Sequence, residues 1–289
     1  RQLPLHLVKE GKSNDYDFDY DLLRLDTAVA CRAFDNVIDC TRYPLERQRE
    51  EQQNKRRMGI GVTGIANTLA IMGLRYGSKE YISEQEKILE IIRDTAYLTS
   101  IQAAKRYGSF PFFNADKWLK SGFAKTLPGD IRKEIKANGL RNGLLLSIAP
   151  TGTISMTADN ISSGIEPPFD MISRRLVQMP EGEREVEQKD YAYANYGVKS
   201  KTARAQKVVD SAVSKTINLA GTKGGEKKRG QITFNDFKRL YMQAYKGGAK
   251  GCTTFNVNGE RFGIYIEQPV DGEIACYIDP ETGAKSCEA

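Results

Sequence analysis

Histidine is almost missing from this 289-residue chain, where His6 stands alone. One imidazole cannot build a multi-histidine metal centre, so no metal site is expected and His6 is assigned a surface or packing role. The cysteines (Cys31, Cys40, Cys252, Cys276 and Cys287) are odd in number and lack a C-x-x-C pair. That pattern argues against a disulfide framework or structural zinc and leaves redox or radical chemistry for any working thiol. No apolar run approaches the roughly 18 residues that span a bilayer, and the opening Arg-Gln-Leu-Pro lacks the apolar centre of a signal peptide. A water-soluble, cytoplasmic chain with no membrane partner is expected. Neither sign of charge dominates, with 43 Lys and Arg against 37 Asp and Glu. Runs such as Lys227-Lys228-Arg229 therefore read as solvated loop, and no nucleic-acid partner is expected. A starting methionine is missing too, which suggests that Arg1 follows processing or a cut in something longer.

What is present is enough apolar material, 40% of residues, for one large domain or two small ones. The first half reads as helical. From Asp21 to Asp39 the positions Leu22, Leu25, Val29, Ala33 and Val37 recur every three to four residues, predicting one buried stripe on a helix that ends near Arg42-Tyr43-Pro44. A charged, exposed helix follows. Met58 to Gly64 reads as a glycine-bearing turn feeding a helix through Ile65, Leu69 and Met72. Ser83 with Glu86 predicts a capping box opening a long helix through Ile88, Ile92 and Ala96 to about Tyr107.

The second half alternates, which predicts an α/β fold with parallel strand pairing. Gly143 to Ile148 reads as a strand, Ala203 to Leu219 and Phe234 to Tyr245 as helices, and Gly251 to Phe255 as another strand. Gly221 to Gly230 is the expected flexible spot. After Gln268 neither period is visible, so residues 1–268 are read as one domain and 269–289 as a flexible tail.

Two stretches invite a chemical reading. Gly59-x-Gly61-x-x-Gly64 has the spacing of a dinucleotide-binding turn, but charged, helix-like residues Arg47 to Arg57 precede it where a strand is required. Close helix packing around the glycines is the better reading. In "SIAPTGTISM", residues 147–156, a strand runs through a proline into Thr151-Gly152-Thr153 and then into a helix. Backbone N–H groups and the hydroxyls of Thr151, Thr153 and Ser155 gather at a helix start, where anions are attracted. An ordinary capped helix after a strand is the structural alternative.

A resemblance rests on motifs occurring in this order: Arg56-Arg57-Met58-Gly59-Ile60-Gly61-Val62-Thr63-Gly64, Gly139-Leu140-Arg141-Asn142, Ala149-Pro150-Thr151-Gly152-Thr153-Ile154-Ser155, Ser162-Ser163-Gly164-Ile165-Glu166-Pro167-Pro168-Phe169, Ser214-Lys215-Thr216-Ile217-Asn218 and Lys250-Gly251-Cys252-Thr253-Thr254-Phe255. Together they resemble the C-terminal half of the ribonucleotide reductase catalytic chain, most closely the adenosylcobalamin-dependent class. The class that relies on a di-iron radical protein as partner subunit is the second choice.

The resemblance implies a ten-stranded α/β barrel of two five-stranded halves, with a radical-bearing finger loop through its centre. It implies that a thiyl radical removes the ribose 3′ hydrogen, the 2′-hydroxyl leaves as water and a dithiol supplies electrons. Ala149, Pro150, Thr151, Gly152, Thr153, Ile154 and Ser155 would hold the substrate's phosphates. The family's radical cysteine lies in Asn-x-Cys-x-Glu, and no cysteine here has that setting. No catalytic residue is therefore assigned, and the implied partners are an N-terminal half carrying the finger loop, a ribonucleotide and a thioredoxin- or glutaredoxin-like reductant. Cys276 and Cys287 are candidates for the tail pair that re-reduces the active-site disulfide. Cys31 and Cys40 read as core residues, Cys252 as a buried, inert thiol, and Glu166 first as part of a rigid proline turn. A scaffold or regulatory half-barrel without turnover is the reading from a different class.

Overall fold

The computed structural model describes residues 3–9, 16–168, 171–179, 182–198, 216–219, 234–246, 253–256, 275–278 and 285–288. Helices dominate the first half, in the order α1 (Tyr20–Cys40), α2 (Glu46–Lys55), α3 (Ile65–Ile71), α4 (Lys79–Tyr107), α5 (Ala115–Trp118), α6 (Gly129–Asn138) and α7 (Gly152–Thr157). Two further helices, α8 (Tyr191–Tyr196) and α9 (Phe234–Lys246), stand among the later strands. The strands pair two by two. β1 (Leu7–Lys9) with β2 (Tyr16–Phe18), β3 (Ile172–Met179) with β4 (Gly182–Lys189) and β7 (Ala275–Ile278) with β8 (Lys285–Glu288) are antiparallel. β5 (Thr216–Leu219) and β6 (Thr253–Asn256) are parallel, as is an isolated bridge between Ile60 and Leu146. The expected α/β character and parallel pairing are present.

The core forms around α4. Its N-terminus is capped by Ser78, whose hydroxyl accepts from the Tyr81 amide at 3.1 Å, and it stops at Gly108, where φ is 82°. The true start therefore precedes the expected capping box, and Ser83 lies inside the helix. Tyr81 and Ile82 extend the apolar pattern upstream, so the local Ser-x-x-Glu spacing is incidental. Tyr81, Ile88, Tyr97 and Ile101 are completely buried, and the two isoleucines each contribute about 1.5–3 kcal/mol through apolar area removed from water. α1 lies alongside in the same direction, since Tyr20 donates to Glu84 and the Cys31 thiol donates to Ala96 O.

The face that α1 turns inward is not the expected one. Leu23, Thr27, Cys31, Asp35 and Ile38 are buried, while Leu25, Val29, Ala33 and Val37 are exposed and Leu22 is half-buried. α1 carries apolar residues on opposite sides, and periodicity alone does not choose between them. The charged α2 buries nothing, as expected.

Three other expectations change. Gly143 to Ile148 carries isolated bridge positions at Leu146, which pairs with Ile60, and at Ile148, and is not a continuous strand. Thr216–Leu219 is a strand, so the helix expected over Ala203 to Leu219 does not reach its end; residues 203–215 lie outside the described residues, as do 221–230, 227–229 and Cys252. The tail contains the β7–β8 pair, whose cross-strand partners were invisible in its sequence period. Among the described residues, no helix is long and apolar enough to cross a membrane and no group of His, Cys, Asp and Glu could hold a metal ion.

Candidate functional site

The turn at 149–155 is set by the extended stretch before it. The Met58 and Ile60 amides donate to Leu144 O and Leu145 O at 3.0 and 2.8 Å, and the Ser147 amide donates to Ile60 O at 3.0 Å. These bonds seat residues 144–147 against residues 58–60. The glycines of the Gly59-x-Gly61 pattern lie against Ser147, so they serve packing as expected, but their neighbour is extended backbone and not a helix. Gly64 opens α3 directly, without the strand–turn–helix context of a dinucleotide site.

Beyond Ile148 the chain emerges. Ala149, Pro150, Gly152, Thr153 and Ile154 are exposed, Thr151 is half-buried and Ser155 is buried. Thr151 adopts the left-handed conformation, with φ at 51° and ψ at 23°, which is uncommon for a β-branched residue. No side chain caps α7. Its first internal bond is Ser155 N–H to Thr151 O at 2.8 Å, leaving the amides of Gly152, Thr153 and Ile154 without a protein acceptor among the described residues. An exposed, uncapped first turn with three free donors suits an anion.

The hydroxyls divide between two tasks. Thr151 Oγ1 accepts from the Gly164 amide at 2.8 Å, which leaves its proton free to donate. Ser155 Oγ donates to Gly152 O and lies 3.0 Å from Ser163 Oγ, so it braces the turn from inside instead of lining it. Thr153 is exposed.

The bracing segment, residues 162–166, is itself fixed. Gly64 N–H donates to Ser162 O at 2.7 Å, the Asn67 side-chain oxygen accepts from the Ser162 amide, and Tyr76 Oη donates to Ile165 O at 2.6 Å. Asn67 Nδ2 reaches both oxygens of the buried Asp190 carboxylate, which also caps α8 through the Ala192 and Tyr193 amides. Burial pushes the Asp190 carboxyl up, and these donors oppose that shift. Gly164, at φ 50°, passes so close to Ala149 that a Cβ would stand 2.9 Å from its carbonyl oxygen. Glu166 closes a turn onto Ser163 O, consistent with a rigid proline-bounded loop. Asn67, Ser163 and Asp190 were not found from sequence, since each acts through a partner at least eight positions away.

Residues 3–194 and 190–255 match the family model for the ribonucleotide reductase barrel domain. The chain belongs to this family. It is 27% identical over 314 residues to the vitamin B12-dependent ribonucleoside-diphosphate reductase of Mycobacterium tuberculosis (strain CDC 1551 / Oshkosh), an alignment covering 93% of this chain and 42% of that protein. The protein of the same name from Thermoplasma acidophilum is 33% identical over 56% of this chain and 18% of its own length. The ribonucleoside-diphosphate reductase subunit alpha of Helicobacter pylori (strain ATCC 700392 / 26695) is 27% identical over 86% of this chain and 34% of its own length. The chain thus spans less than half of these reductases.

The cysteines of this reductase-family chain differ sharply in setting. Cys31 is buried against α4, and desolvation pushes its thiol up to about 12, as an inert core residue requires. Cys40 is exposed at the end of α1, not in the core as expected. In the β7–β8 pair, Cys276 and Cys287 are direct cross-strand partners. His6 is buried and not at the surface: Nδ1 lies 3.2 Å from Leu3 O, Nε2 lies 3.1 Å from Asp26, and its ring stacks on Phe18.

Proposed function

We propose that this chain is the C-terminal part of a ribonucleotide reductase catalytic polypeptide, and that Ala149 to Ser155 bind the phosphates of a ribonucleoside diphosphate. The observation that carries this reading is the exposed first turn of α7, where the amides of Gly152, Thr153 and Ile154 are free. These donors, with the Thr151 and Thr153 hydroxyls, can neutralise phosphate oxygens and hold the ribose at a fixed distance from the chemistry. Ser155 supports the turn from behind.

Residues 1–268 would supply one half of a ten-stranded barrel, and the complementary N-terminal half would bring the finger loop and radical cysteine. The names of the Mycobacterium and Thermoplasma relatives support adenosylcobalamin as cofactor. When bound, that group supplies the initiating radical. The described residues do not fit it: both ring nitrogens of His6 face oxygen partners, and the cleft between α3, α8 and Pro167-Pro168, lined by Asn67, Arg75 and Asp190 beside apolar side chains, encloses only about 290 Å³. Its seat is therefore assigned outside the described residues, and the expected compartment of the enzyme is the cytoplasm.

In residues 269–289, Cys276 and Cys287 would act as the shuttle. One thiolate attacks the active-site disulfide, the second closes a tail disulfide and releases the reduced active-site dithiol, and a thioredoxin-like dithiol then reduces the tail. Replacing both by serine should abolish turnover with a protein reductant and retain it with dithiothreitol.

Reconstitution with a finger-loop-bearing half tests the whole reading. Ribonucleoside diphosphate reduction that needs adenosylcobalamin alone is expected, whereas dependence on a second metal-bearing subunit would favour the di-iron class and no turnover would favour the scaffold. In active enzyme, Gly152→Leu should raise KM, and an unchanged KM would remove the turn from the substrate site.

A further inference from the structure

Behind the phosphate turn lies a charge cluster with no role in the reading above. Asp35, on the inward face of α1, collects donors from three residues in two separate segments. Arg56 gives Nε and Nη2 to its Oδ1 at 3.0 and 2.8 Å, Asn142 gives Nδ2 to the same oxygen at 2.8 Å, and Arg141 gives Nε to Oδ2 at 3.2 Å. Asp39, one turn on, takes the other edge of Arg56 at 2.7 and 2.9 Å. Two carboxylates face two guanidiniums, so the cluster is neutral although Arg56 is only 3% exposed.

The two arginines and Asn142 sit at the starts of the two stretches that run side by side toward the turn. Arg56, held in the left-handed conformation with φ at 43°, immediately precedes residues 58–60. Arg141 and Asn142 immediately precede residues 144–148. Gly143 N–H donates to Lys55 O at 2.9 Å, so the bonded pairing of the two stretches begins beside the cluster and continues to Ser147. Asn142 is also tied to α4, its amide donating to Ser100 Oγ and its side-chain oxygen accepting from that hydroxyl. Asp35 therefore fixes which residue of one stretch faces which residue of the other, and a slip in that register would turn over or displace Ser147 and everything after it.

We propose that Asp35 is a positioning residue for the substrate-phosphate turn: through Arg56, Arg141 and Asn142 it sets the register of residues 144–148 against 58–60, and with it the placement of the Gly152, Thr153 and Ile154 amides. The proposal rests on the reading of that turn as the phosphate site. It assigns Asp35 no contact with substrate. Its effect reaches the ligand by way of a backbone pairing that is held at the far end by Thr151 and Gly164.

The experiment uses the full chain with inorganic pyrophosphate as probe. Asp35→Asn keeps the side-chain volume and removes the charge that balances the guanidiniums. The comparison variant is Ile135→Ala, which opens the core at α6, where the side chain is fully buried, and does not touch the cluster. Pyrophosphate affinity is read by calorimetry, and amide hydrogen exchange at residues 147–155 is read without ligand, at temperatures equally far below each variant's Tm. Asp35→Asn should weaken pyrophosphate binding on the order of tenfold and speed exchange across 147–155, as expected when a binding group is displaced by about an ångström. Ile135→Ala should change neither. If Asp35→Asn behaves as Ile135→Ala does, the positioning role is refuted. If the unmodified chain fails to bind pyrophosphate, the phosphate reading falls, and the exchange comparison still decides whether Asp35 governs the turn. Should Asp35→Asn not fold, Arg141→Gln removes one of the three partners at the cluster's edge and must move both readouts in the same direction; no movement counts against the proposal.

Discussion

Gly61 lies so close to Ser147 that a Cβ on Gly61 would stand 2.2 Å from the Ser147 carbonyl oxygen. That oxygen is backbone, so it cannot rotate away. Gly61→Ala must spread the two extended stretches and is expected to destabilise the chain by about 1–3 kcal/mol, the range of overpacked sites. Gly152 is the contrast, since nothing stands within 4 Å of its added Cβ. Gly152→Ala should leave stability unchanged or raise it by about 0.4–1 kcal/mol, because the unfolded chain loses freedom. Urea unfolding of both variants checks the pair, and equal midpoints would contradict the close contact.

The Asp39 carboxyl is held below the usual carboxylate range, chiefly by its bonds from Arg56. A carboxyl with a depressed folded pKa stabilises the fold above its unfolded value and loses that contribution as pH falls through the folded value. Stability should therefore begin to decline as pH falls to about 5 and continue below about pH 3.9, where the free carboxyl is half protonated. Asp39→Asn should remove part of that slope while leaving the neutral-pH slope untouched. The side chain is 48% exposed, so added salt should shrink the effect. Thermal melts across pH 3–7 measure it.

Cys31 and Cys40 lie on the same helix, yet their thiols should differ in reactivity by orders of magnitude. Burial pushes Cys31 up to about 12, while Cys40 is exposed. Maleimide labelling of the native chain at pH 7.5, followed by peptide mapping, should modify Cys40 and spare Cys31 until denaturant is added. Early labelling of Cys31 would show that α1 does not pack on α4 as described.

Leu25, Val29 and Val37 form an exposed apolar stripe on α1. Replacing all three by lysine should leave Tm nearly unchanged and reduce self-association of the isolated chain, measured by size-exclusion chromatography. Leu23→Ala, on the opposite face, should cost about 2–5 kcal/mol. The reverse ranking would restore the stripe read from sequence as the core face.

Local patterns sufficed for the existence of α1, α2, α3, α4 and α9 and for the end of α4 at Tyr107. Each depends on residues within one or two turns of each other, as a repeat of apolar positions does. The family itself was legible too, because its motifs are contiguous words. Tertiary structure decided what lies opposite what. α1 has two apolar sides, and the one that turned inward carries Asp35, whose partners Arg56, Arg141 and Asn142 lie 21 to 107 positions away. Ser155 met its inward partner Ser163 only when a separate loop packed behind the turn, and Cys276 met Cys287 only through strand register. A sequence period reports that a face is apolar or polar. Which face is buried, and which hydroxyl is left free, depends on desolvation and hydrogen bonding by segments brought together only when the chain folds.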